Sequence, residues 1–142
     1  MSLLTLFILI STPNITGVVK EFHTLDTKDA EIAFIKTYGL SSQSAVLGYV
    51  CAIEMKQAEY SYNPVSKLKI FNRSKAKLDL LVGSNPTDVH LRYIRLVLQE
   101  QTPALLNYTD HIVEDKTFLT NVLEVTDDSD FLDEYIRKNT SL

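Results

Sequence analysis

From residue 26 onward the apolar positions recur every three to four residues, with polar punctuation between the stretches. No segment sustains the every-second-residue alternation of a half-buried strand, so the pattern predicts an all-α domain of antiparallel helical hairpins. Asp26-Thr27-Lys28-Asp29 offers a capping residue with an acid three positions on; Ile32, Phe34, Ile35 and Tyr38 follow, and Gly39 closes the helix. A second helix is expected from Ser42 to Tyr60, with Ala45, Gly48 and Ala52 forming a strip of small side chains where another helix can approach closely. Asn63-Pro64 starts a third, carrying Leu68, Phe71, Leu78, Leu81 and Val82 and ending at Gly83. Asn85-Pro86-Thr87-Asp88 repeats that starting device for a helix from Pro86 to Gln101. Thr102-Pro103 interrupts it, and a short turn Ala104 to Tyr108 leads to a capping Thr109-Asp110. A helix from His111 to Val125 and a short one from Ser129 to Lys138 complete the domain, leaving 139–142 as a tail.

The helix over 86–101 is apolar on nearly every side, which predicts that it is the central helix of the bundle. One narrow polar strip interrupts it, made of Asp88, Arg92, Arg95 and Gln99. Arginines flanked by leucines need partners, because an isolated buried charge costs several kcal/mol. Asp88 can reach Arg92 at i,i+4. For Arg95 the architectural expectation, which we favour, is a carboxylate from elsewhere in the chain: Glu54, Glu100, Glu114 or Asp115. The alternative is that Arg92, Arg95 and Gln99 line a cleft that takes an anionic group bidentately.

The N-terminus follows a different pattern. Seven of the eight residues from Leu3 to Ile10 are apolar, well short of the roughly 18 needed to span a bilayer. The run is read as a signal peptide or apolar leader over residues 1–17, followed by a single domain over 26–138. No Lys or Arg precedes it and no Ala-x-Ala follows, so a retained segment packed on the core is the competing reading. The corresponding locations are periplasmic or secreted, against cytoplasmic if Met1 is kept.

Composition removes several classes. With 45% apolar residues, 4 Gly and 1 Cys, the chain is neither disordered nor collagen-like nor built on disulfides. The net charge of −4 favours neither nucleic acid nor anionic lipid. That total hides a polarity: residues 61–110 hold seven basic against four acidic side chains, and 111–142 three against eight. Lys67, Lys69, Arg73, Lys75 and Lys77 cluster on the third helix, either as a solvated face or as a docking surface for an acidic protein partner.

Few residues suggest chemistry. His23, His90 and His111 are scattered, without the His-x-x-x-His, Glu-x-x-His or cysteine pairs of metal sites, so neither metal nor cofactor is expected. His111 with Glu114 and Asp115 reads as a helix start with acids in its first turn. Gly-x-Ser-x-Gly and phosphate-cradling glycine loops are absent from the sequence. Cys51, set among Val50, Ala52 and Ile53, is read as a small core residue. Asn-x-Ser/Thr triplets at Asn14, Asn72, Asn107 and Asn139 matter only in a glycosylating host.

Two resemblances add to this. Leu47-Gly48 and Asn85-Pro86 are similar to the first-helix Leu-Gly and inter-repeat Pro of tetratricopeptide repeats. The departure is large, with 39 positions from Leu47 to Pro86, against a whole repeat of about 34. Asn85-Pro86, Leu91-Arg92-Tyr93-Ile94-Arg95-Leu96, Gln99-Glu100, Thr102-Pro103, Leu106, Tyr108 and Glu114-Asp115-Lys116 together resemble a family of small bacterial helical proteins with signal peptides and no assigned activity. That resemblance implies export and an all-helical fold. The expected function is therefore that of a non-enzymatic exported helical protein acting by protein–protein interaction. The alternative is a soluble protein binding a small anion through Arg92, Arg95 and Gln99.

Overall fold

The structure, a computed structural model, describes residues 12–142. Most of the expected leader over 1–17 lies outside the described residues. Among the latter are seven α-helices, two short 3-10 turns and no strand.

The first helix, α1 (Ile15–Phe22), lies where no domain element was expected. The Asn14 side chain caps it by accepting from Thr16 N at 3.0 Å, and Val18 and Val19 are buried in the core. The packed body thus takes in residues ahead of position 26. In α2 (Lys28–Tyr38) the cap is Thr27, accepting from Ala30 N, and Gly39 ends the helix as its spacing predicts. The helix expected over 42–60 divides into α3 (Ser44–Lys56) and a 3-10 turn Gln57–Tyr60. Asn63 caps α4 (Pro64–Ser84) through Val65 N at 2.9 Å, and α4 runs one residue past Gly83.

The largest revision of boundaries concerns the helix expected from Pro86. Its cap is Asp88, which accepts from Leu91 N at 3.1 Å, so α5 spans Val89–Gln101 and Pro86 stands in the preceding turn. Proline can occupy a first helical turn, but a carboxylate facing a free N–H group caps better. After Thr102-Pro103 comes a 3-10 turn Ala104–Leu106, closed by Asn107 in the left-handed region at φ 48°. Neither Thr109 nor Asp110 caps α6 (Ile112–Glu124); instead the Gln99 side-chain oxygen of α5 accepts from His111 N at 2.8 Å. The last helix is α7 (Asp130–Asn139), and Leu142 of the expected tail packs on the core.

Two helices share the centre, where one was expected. α3 packs on α1, α2, α4 and α5, and α5 packs on α3, α4, α6 and α7. Gly48 abuts Leu91, and seven residues on in each helix Met55 and Leu98 share a cluster, so α3 and α5 lie side by side and parallel. Phe71 shares a cluster with Leu98 while Asp79 lies near Arg95, and Asp115 meets Arg95 while Phe118 meets Arg92, so α4 and α6 run antiparallel to α5. The small-residue strip explains the closeness at the centre. A Cβ on Gly48 would come within 2.5 Å of Leu91 Cδ2, so the glycine admits the neighbouring leucine.

Candidate functional site

The polar strip of α5 closes on α6. Asp115, fully buried, is bidentate to Arg95, accepting from Nε and from the second terminal nitrogen at 2.7 Å each. It also accepts from Arg92 at 3.0 Å and from Gln99 Nε2 at 2.9 Å, so one carboxylate binds all three donors. Arg92 also donates from Nε to the Pro86 carbonyl at 2.9 Å and from Nη1 to Glu114 at 2.5 Å, with the guanidinium lying over Phe118. Desolvation opposes the charge on Arg95, but its bonds to Asp115 prevail and hold its pKa above the ordinary value. Arg92 and His111 hold the Glu114 carboxyl below its usual range. Asp88 does not pair with Arg92: its carboxylate is committed to the cap of α5. Of the four proposed carboxylates, Asp115 and Glu114 join the network. Glu54 instead pairs with Lys77, and Glu100 accepts from Ser141 in the C-terminal tail. An anion entering this strip would have to displace Asp115 from three partners.

Sequence reasoning missed two members. Asp79 of α4 accepts from Tyr108 at 2.9 Å and lies 3.9 Å from Arg95, extending the network to the loop before α6. Burial beside Asp79 drives the Tyr108 hydroxyl well above its usual pKa. The signal available was Asn107: a left-handed residue turns the chain so that Tyr108 points inward.

The basic cluster on α4 is split between sides. At 100° per residue Lys69, Arg73 and Lys77 share one side of the helix, and Lys67 and Lys75 lie outside that arc. Lys77 pairs with Glu54, Lys75 lies over the Tyr108 ring near Asp110, Lys69 and Arg73 face solvent, and Lys67 faces a groove.

That groove, of about 750 Å3, opens where the N-terminal half of α4 splays from the C-terminal half of α5. Each of three helices turns a full i, i+3, i+4, i+7 row toward it: Ala52, Met55, Lys56 and Glu59 from α3 and its 3-10 extension, then Pro64, Lys67, Leu68 and Phe71 from α4. The third row is Ile94, Val97, Leu98 and Gln101 from α5. Leu68 of α4 and Leu105 of the 3-10 turn after α5 also line it, 48% and 94% exposed. Lys56 is neutralised by Glu31 at 2.5 Å, whereas Lys67 has no carboxylate within 4.0 Å among the described residues. Phe22, His23 and Asn139 close the far end.

No group of three or more metal-ligating side chains converges among the described residues, and no helix there is long and apolar enough to cross a membrane. Burial raises the Cys51 thiol to about 12, as suits a core residue. Comparison with protein-family models, with curated proteins and with solved structures finds no match to this chain.

Proposed function

We propose that the protein is a non-enzymatic, exported helical module that binds another protein by seating the apolar face of a partner helix in the α3–α4–α5 groove. The observation that carries this reading is the convergence of three helical rows on one unfilled channel, the geometry that a fourth helix would complete. The exposed Leu68 and Leu105 supply apolar contact, and Lys67 supplies a cation for an acid on the partner's flank. The anion-binding alternative through Arg92, Arg95 and Gln99 is not preferred, because Asp115 already engages all three side chains and Glu114 and Pro86 take further donors of Arg92. A tetratricopeptide-like order for the α3–α4 pair is the finer form of the fold reading. Leu47-Gly48 and Asn85-Pro86 support it, and the spacing of 39 positions stands against it.

Export rests on the apolar run and on the bacterial resemblance. If a leader is removed, the α1 cap requires the cut to fall before Asn14, ahead of Thr16-Gly17. Mass spectrometry of the mature N-terminus tests this, and a chain beginning at Met1 would overturn export by cleavage. For the groove, a display library of random peptides is selected against the wild-type protein and a Leu68→Glu/Leu105→Glu variant. Wild-type selection should enrich peptides with apolar residues at i, i+3, i+4 and i+7 that bind the variant at least about tenfold more weakly. Failure to enrich any peptide, or equal binding to both proteins, would overturn the groove.

A further inference from the structure

His23 sits at the C-terminal end of α1, on the end wall of the groove, and it touches α7 as well as α5. Its Nε2 lies 3.1 Å from the Tyr93 hydroxyl, and its ring stacks on Tyr135 at a centroid distance of 4.5 Å and an interplanar angle of 12°. Asn139 Nδ2 donates both to the Tyr135 carbonyl at 2.8 Å and to the Tyr93 oxygen at 3.1 Å. The carbonyl can only accept, which fixes Nδ2 as the donor. Tyr93 therefore receives a hydrogen from Asn139 and has its own to give, and the acceptor within reach is His23 Nε2. The chain of bonds runs from Asn139 through Tyr93 to His23 and requires a neutral imidazole.

The groups that face His23 are Tyr93 from α5, and Tyr135, Asn139 and Lys138 from α7; none is a carboxylate. A proton on Nε2 would aim a second donor at the Tyr93 oxygen, leave the Tyr93 hydrogen without an acceptor and add a positive charge near Lys138. We propose that protonation of His23 undocks the C-terminal turn of α7 and opens the groove at that end, making the groove proton-regulated. This rests on the reading of the groove as the binding site. His23 and Asn139 both line it, so loss of their link through Tyr93 changes the shape of its wall. Burial first, and Lys138 second, hold the His23 pKa below its ordinary value, which places the transition on the acid side of 6.5.

The test uses the full chain. Amide hydrogen exchange, corrected for intrinsic rates, is followed at about pH 7.5 and about pH 5. Residues 131–139 are expected to open about tenfold more at the acid pH, with α3 unchanged. His23→Gln keeps an amide oxygen that can accept from Tyr93 but cannot titrate, and it should erase the difference. Lys138→Gln, at an exposed position, should move the NMR titration midpoint of the His23 ring upward. Equal opening at both pH values overturns the proposal. So does an acid response that survives in His23→Gln, including one removed only by His90→Gln, since His90 reaches α7 through Phe131. The groove is tested separately with a peptide selected as above, whose Kd should change with pH in the wild type and not in His23→Gln. A pH-independent Kd in the wild type breaks the link to the groove. If no peptide is selected at all, the groove reading fails while exchange still reports on the α7 switch.

Discussion

Replacing Asp115 with leucine should be among the most damaging single changes in the molecule. The carboxylate is fully buried and accepts four hydrogen bonds, two from Arg95 and one each from Arg92 and Gln99. Without it Arg95, only 3% exposed, is left with Asp79 and Glu114, both at 3.9 Å. Breaking a buried pair from one side costs about 3–5 kcal/mol, because the remaining charge is uncompensated. A domain of this size is stable by about 5–15 kcal/mol, and each kcal/mol moves Tm by about 2–4 °C. Asp115→Leu should therefore lower Tm by about 6–20 °C, read by circular dichroism, with a matching fall in the urea midpoint. Arg95→Leu should cost about 3 kcal/mol, since Asp115 then keeps Arg92 and Gln99. Arg92→Leu should cost less, because Arg92 is partly shared with the more exposed Glu114. Arg95→Met combined with Asp115→Leu should recover much of the loss, as apolar replacement of a whole buried pair often does. An unchanged Tm in Asp115→Leu, or a double variant as unstable as the sum of its singles, would refute the assignment of these residues to a mutually compensating buried network.

Three further outcomes follow from the packing. Gly48→Ala gains helix propensity of about 1 kcal/mol. It also drives a methyl into Leu91 Cδ2 in a filled core, where overpacking costs about 1–3 kcal/mol, so the net should be a loss in urea unfolding that Leu91→Val relieves. The Ser74 hydroxyl is buried with no partner among the described residues, so Ser74→Ala should be neutral or raise stability by about 1 kcal/mol; a clear fall in the urea midpoint would show a hidden partner. Burial lowers the His90 pKa, against a smaller opposing effect of Asp88, and Tyr49 bonds to its Nδ1. With His23 and His90 both shifted down, their contribution is complete above the unfolded value near 6.5 and is lost as pH falls toward the folded values. The urea midpoint should drop from about pH 7 to about pH 5 in the wild type, and the drop should shrink in His90→Gln.

From residue 26 onward the helices and their class were legible because each apolar stretch carries its own punctuation, and Asn63-Pro64, Gly39 and Thr102-Pro103 act locally. Boundaries failed where a tertiary partner replaced the local one. Asp110 looks like the cap of α6, but Gln99 from α5 takes that role, and no window around residue 110 contains this information. Asn85-Pro86 looks like a second copy of Asn63-Pro64, yet Asp88 outcompetes it because an ionised oxygen meets the free N–H groups of the first turn. α1 was missed for another reason: it begins inside the 1–17 stretch that reads as a leader.

The all-round apolarity of α5 was legible in the sequence, but its division of labour was not. Each side of the helix addresses a different neighbour: Leu91 meets Gly48 of α3, while Arg92, Arg95 and Gln99 meet Asp115 of α6. Tyr93 bonds to Asn139 of α7. Ile94, Val97 and Leu98 also belong to the apolar surface, yet they border the groove, which no described element fills. A hydrophobic pattern records only that a position avoids water; it is blind to whether the neighbour is already in place or has still to arrive. The polar strip stood out because buried charge is rare in such a pattern, and its very completeness commits it to architecture. The groove is an apolar row among apolar rows, and it emerges only once the other sides of α5 have been assigned. Two central helices, α3 and α5, thus leave open a channel to which both contribute, and His23 stands where that channel meets α7.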